Sequence, residues 1–190
     1  GVGQDYAVIQ VIDASEFEQV AVYRDNWADP EMTSVKAANI AKRYNLAHIV
    51  PEVNNHGILG VDILKRLYPT GRIYKRESPD SRKQSNKASK KPALGFITTE
   101  RTKPYSCSTL KTYLKRGLKI HDSETYHELQ MFTEIDGALT APEREHDDLV
   151  MALALAAVGI KELVKNEPQE QKEAPSIDWS KPVMPFSNVD

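Results

Sequence analysis

The chain is poor in several things, and each shortage removes a class of protein. One cysteine, Cys107, in 190 residues excludes an internal disulfide framework and fits a reducing compartment. No apolar run reaches the roughly 20 residues needed to cross a bilayer, and the stretch from Leu149 to Ile160 is too short. No secretory signal is visible, and the first residues already read as fold. Positive charge is not in excess: 25 Lys and Arg against 27 Asp and Glu leave a net charge of −2, so the chain as a whole is not a basic nucleic-acid binder. There is no internal repeat and no Gly-x-x-x-x-Gly-Lys-Ser/Thr loop, which removes a P-loop nucleotide site. What remains is 40% hydrophobic and 27% charged, a single domain's length with enough chain to bury a substantial core.

Strand and helix patterns alternate along the chain. Asp5 to Asp13 reads as a β-branched strand, and the alternating Phe17 to Arg24 as its antiparallel partner. Thr33 or Ser34 is placed to cap a helix through Tyr44, with Val35, Ala38, Ile40 and Ala41 on its buried side. Ala47 to Val53 is a short apolar strand, and Asn54-Asn55-His56-Gly57 turns it into a helix ending near Tyr68. Further strands are expected at Ile73 to Arg76, Phe96 to Thr99, Lys119 to His121 and Phe132 to Ile135, with helices at Pro104 to Arg116 and Ser123 to Gln130. The last helix, from Leu149 on, is so rich in Ala, Leu and Val that it has no wet face of its own and should be buried against a sheet. Such alternation indicates a three-layer α/β arrangement with a largely parallel centre.

Two segments fall outside that pattern. From Arg76 to Lys91, six Lys or Arg stand against Glu77 and Asp80 among serines, a loop or hairpin suited to phosphate contact or simply to solvation. Past Val164 the sequence becomes polar and Pro-punctuated, so residues 1–164 are expected to be the domain and 165–190 a flexible tail. Ile177, Trp179, Val183, Met184 and Phe186 give that tail anchors for docking.

The chemistry is concentrated in carboxylates. Asp147 and Asp148 open the apolar last helix behind His146, where one acid suits the helix dipole and the unpaired amides as a cap. A second acid at the edge of a core is accounted for by a divalent cation, which takes carboxylate oxygens and neutralises their repulsion. Glu52 stands near the carboxyl end of a predicted central strand, where open α/β sheets place ligand sites. Asp5 and Asp13 bracket the first strand. A two-metal phosphodiesterase needs three or four carboxylates converging from separate elements, and Glu52, Asp148 and an acid of the first strand would supply them. Taken singly, each has an ordinary reading: Asp147 or Asp148 as a helix cap, Glu52 as a strand-end acid, His146 as a surface residue.

The ordered set of motifs is more specific. Gly1-Val2-Gly3-Gln4-Asp5-Tyr6-Ala7-Val8, then Glu52-Val53-Asn54-Asn55-His56-Gly57, then His146-Asp147-Asp148-Leu149-Val150-Met151-Ala152-Leu153 resembles the nuclease domain of tailed-phage terminase large subunits. The likeness runs from Gly1 to Leu163 and takes in Gly95 to Lys103 and Glu124 to Leu129. It implies an RNase H-like three-layer fold, a mixed central sheet flanked by helices, related to Holliday-junction resolvases. It also implies a virus-encoded endonuclease that cuts concatemeric double-stranded DNA with Mg²⁺ or Mn²⁺ during genome packaging. Such a protein would work in the host cytoplasm beside the terminase ATPase domain, the small subunit and the portal, and would not touch membrane. Glu52 matches the family's second catalytic acid and Asp148 its third, with Asp147 as the alternative. Asp5 matches an accessory acid, so catalytic and metal roles are expected at Glu52, Asp148 and Asp5, with Asn54, His56 and His146 supporting them. Arg82, Lys83, Lys87, Lys90, Lys91, Arg101 and Lys103 are the expected contacts to DNA phosphates. The family's first aspartate normally precedes the Gly-x-Gly-x-Asp-Tyr segment, so it is expected ahead of Gly1, on a strand whose absence would leave a sheet edge unpaired.

Three rival readings remain at this stage. One is a resolvase or another RNase H-like nuclease acting on branched DNA or RNA hybrids. Another is a non-catalytic DNA clamp whose acids are caps. The third is a protein-docking domain that works through its tail.

Overall fold

The structure is a computed structural model that describes residues 6–54, 57–76, 93–143 and 145–166. Asp5, His56, the basic residues Arg82, Lys83, Lys87, Lys90 and Lys91, and residues 167–190 of the tail lie outside the described residues.

The first strand pair forms as its alternation predicts. β1 (Ala7–Asp13) runs antiparallel to β2 (Glu18–Asp25), with a register shift between Val11 and Ile12. α1 (Pro30–Arg43) begins earlier than expected. Its cap is Asp29, whose side chain accepts the Met32 N–H at 2.7 Å, and Pro30 fills the first position, where a missing N–H costs nothing. Ser34 is instead buried and hydrogen-bonded to the Pro30 carbonyl, and Val35 faces solvent. α2 (Gly57–Leu67) packs on α1, and Gly60 lets Ser34 approach: a Cβ there would sit 2.8 Å from the Ser34 hydroxyl.

Residues 47–53 are extended but pair through single bridges rather than a long ladder. Ile49 is parallel to Ile73, and Glu52 is parallel to Phe96. A short 3₁₀ turn (Thr70–Arg72) leads into β3 (Lys75–Arg76), which pairs antiparallel with β4 (Ala93–Leu94). α3 (Thr102–Lys115) and α4 (Ser123–Met131) follow, the latter capped by Asp122, which accepts the Thr125 N–H. β5 (Thr133–Ile135) and β6 (Ala138–Thr140) form a hairpin through Asp136-Gly137, both at positive φ, as a two-residue turn of this kind requires.

α5 (Asp148–Asn166) is the buried helix that its composition demands. Val150, Leu153, Ala154, Ala157 and Ile160 join Leu110, Tyr113 and Leu118 in the main core, and α5 packs against α3, α4 and β1. Its other flank meets residues 48–50, where Gly159 permits close approach: a Cβ there would lie 2.9 Å from Val50 Cγ2. His48 and Glu162 pair at 3.0 Å along the same contact. β1 contacts both α5 and α1.

Candidate metal centre

A cleft of about 1040 Å³ opens between β1, residues 45–54, α1, α2 and α5. Glu52 and Asp148 both line it, as do Tyr6 and Asn54. Two carboxylates 96 positions apart in sequence thus line one hollow, one from the segment after α1 and one from the first turn of α5.

Each acid is held by a neighbour. Asn54 Nδ2 donates to Glu52 Oε1 at 2.9 Å and to the Thr98 carbonyl at 3.1 Å, while its own Oδ1 accepts the Thr98 N–H at 3.2 Å. Asn54 therefore fixes Glu52 relative to the chain beyond Phe96. Asp148 Oδ2 accepts the backbone N–H of Tyr6 at 3.1 Å, which ties α5 to the start of β1. His146 Nδ1 lies 3.8 Å from the same oxygen, and its ring meets Tyr6 edge-on at 5.2 Å. The Arg24 guanidinium stacks on the Tyr6 ring, 3.7 Å from its centroid, and pairs with Glu124.

Asp147 is separated from this pair. It occupies the cap position, its carbonyl accepting the Met151 N–H at 2.8 Å, yet its carboxylate receives Lys103 Nζ at 3.0 Å. The reading of Asp147 or Asp148 as the cap of α5 is therefore corrected for Asp147, whose carboxylate meets Lys103 rather than a first-turn amide. Glu128 of α4 does that work, accepting the Leu149 N–H at 2.8 Å and the Val150 N–H at 3.4 Å. Burial pushes the Glu128 carboxyl above the ordinary glutamate value, against the opposing pull of those two amides. Sequence reasoning missed Glu128, since a glutamate inside a polar-looking helix reads as surface. Lys103 sits half-buried beside Asp147, whereas Arg101 is exposed at the start of α3.

Among the described residues no three of His, Cys, Asp and Glu converge as a metal-binding group. Glu52 and Asp148 carry oxygen donors of the kind that hard divalent cations take.

Residues 1–158 match the family model of the terminase RNase H-like domain. The chain belongs to that family. Crystal structures of the large terminase nuclease from thermophilic phage G20c share its fold. The magnesium-bound form aligns with a TM-score of 0.60 at 21% identity, over 83% of this chain and 76% of that one. The cobalt-bound form gives the same values, and a further structure of that nuclease gives a TM-score of 0.56 at 22% identity. The RNase H-like fold expected from the motifs is the fold found, and the chain is the nuclease part of a terminase large subunit, serving DNA packaging. No helix among the described residues is long and apolar enough to cross a membrane.

Proposed function

We propose that this terminase domain is a divalent-metal-dependent endonuclease that cuts concatemeric double-stranded viral DNA largely without regard to sequence. The observation that supports this reading is that Glu52 and Asp148 both line one cleft, each hydrogen-bonded to a specific neighbour. The magnesium and cobalt in the related phage nuclease support the choice of a divalent ion. Mg²⁺ or Mn²⁺, as a two-ion site held by Glu52 and Asp148 with Asp5 as an accessory acid, would acidify water and stabilise charge on the leaving oxygen.

The chain's own residues do the positioning. Asn54 keeps Glu52 Oε1 aimed by bonding it and the Thr98 backbone together. The Tyr6 amide keeps Asp148 against β1. Lys103 neutralises Asp147, which keeps a second negative charge from crowding Asp148. Arg101 and the basic run Arg82, Lys83, Lys87, Lys90 and Lys91 would contact backbone phosphates, which gives affinity without base readout. The ATPase domain, small subunit and portal are the assembly partners in this reading, and the host cytoplasm its setting.

The test compares linear duplex, a four-way junction and an RNA–DNA hybrid as substrates in Mn²⁺. Duplex cleavage that equals or exceeds junction cleavage is expected. Strong preference for the junction or the hybrid would replace this reading with a resolvase-like or hybrid-cutting enzyme.

A further inference from the structure

A helix N-terminus is ordinarily capped by the residue that stands there. In α5 that residue is Asp147, and its carboxylate is engaged by Lys103 instead. The amides of the first turn are taken by Glu128, a carboxylate from a different helix that is only 6% exposed. Burying a carboxylate costs far more than a local cap would, so a plain capping role is an inefficient explanation.

The peptide that Glu128 holds directly follows Asp148. Leu149 has its N–H on Glu128 and its carbonyl on Gln10 Nε2 at 3.4 Å, so both polar groups of that residue are gripped by other elements. The grip is itself anchored. Gln10 and the buried Gln19 bond to each other and to Thr125, and Gln19 Oε1 also accepts the His121 and Asp122 amides. Thr125 lies one turn before Glu128 on the same buried face of α4. β1, β2, α4 and the first turn of α5 are thus locked in one polar network whose last link is Glu128.

We propose that Glu128 is a positioning residue: by holding the Leu149 and Val150 amides, it fixes the turn on which Asp148 faces the cleft. This rests on the metal-nuclease reading for its purpose, though not for its test. The Tyr6 amide bonds Asp148 directly, so its hydrogen exchange reports where Asp148 sits without any metal.

The experiment measures amide exchange by NMR in the 190-residue chain and in Glu128→Ala, Glu128→Asp and Glu128→Gln, together with Mn²⁺ binding by EPR. Glu128→Ala and the shorter Glu128→Asp should speed exchange at Leu149, Val150 and Tyr6 by about tenfold. Glu128→Gln keeps an acceptor oxygen and should restore protection at all three. If Glu128→Ala does not fold, Glu128→Asp decides by the same criterion. Faster exchange at Leu149 and Val150 with Tyr6 unchanged would reduce Glu128 to a plain cap and overturn the proposal. The Mn²⁺ arm separates the two claims: absence of Mn²⁺ binding that depends on Glu52 and Asp148 in the parent chain counts against the metal site, while the Tyr6 result still decides the role of Glu128.

Discussion

Asn54 Nδ2 sits 2.9 Å from Glu52 Oε1 and also donates to the Thr98 carbonyl, so one amide side chain couples a cleft carboxylate to the segment after Phe96. Removing it should leave Glu52 present and misaimed. Asn54→Ala is expected to lower DNA cleavage about tenfold to a hundredfold, the usual penalty for losing the partner that orients a metal ligand. Stability should fall by only about 1 kcal/mol, since the site is open to solvent. Cleavage rates beside a urea unfolding curve check both halves.

The two adjacent acids of α5 should behave differently. Asp148→Asn is expected to reduce cleavage by roughly a hundredfold or more, because a carboxylate oxygen on the cleft is lost. Asp147→Asn should stay within about tenfold of the parent, since that side chain only neutralises Lys103 at a half-buried pair. Lys103→Met combined with Asp147→Asn should add little to either alone, as partners in one pair do. A single-turnover comparison of the four variants measures this.

Gly95 is the most constrained backbone position near Glu52. Its φ is +83°, and a Cβ there would fall 1.9 Å from Val53 Cγ2 and 3.1 Å from the Pro51 carbonyl. Gly95→Ala must therefore displace the segment that carries Glu52, at a cost of about 3 kcal/mol or more. Chemical unfolding gives the number. A loss under about 1 kcal/mol would mean the strand yields easily.

Glu128 also predicts a pH signature. Burial holds its carboxyl above the ordinary value of 4.5, so the folded chain binds that proton more tightly than the unfolded chain does. The resulting stabilisation is full below 4.5 and is lost as pH rises through the raised value. Glu128→Gln is neutral throughout and lacks this dependence. The stability of the parent relative to Glu128→Gln should fall as pH rises upward from 4.5, in urea titrations at successive pH values. A constant difference would contradict the burial effect.

The parts of the fold legible in the sequence are those where one residue type has one physical use. α5 announces itself by an apolar composition that no surface helix tolerates, and Leu149, Leu153 and Ala157 are fully buried. The β1–β2 pair follows from alternation. Other signals were present and outweighed by weaker ones. Asp29-Pro30 is a stronger helix start than Thr33 or Ser34, and Asp136-Gly137 marks the hairpin that adds β6. The site was half legible. Glu52 and Asp148 stood out as acids at element ends, whereas Gln19, Thr125 and Glu128 did not. Polar residues read as solvated in one dimension, and only the packing of α4 on β1 and α5 shows that they hold one another in the interior.

The most direct measurement of the central claim is nicking of supercoiled plasmid in Mn²⁺. It should be made with this chain beside its Glu52→Ala and Asp148→Ala variants. The account predicts cleavage that requires the metal, falls steeply with added salt, and is lost in both variants while their folded stability is kept. Metal-dependent cleavage that survives both substitutions would contradict it.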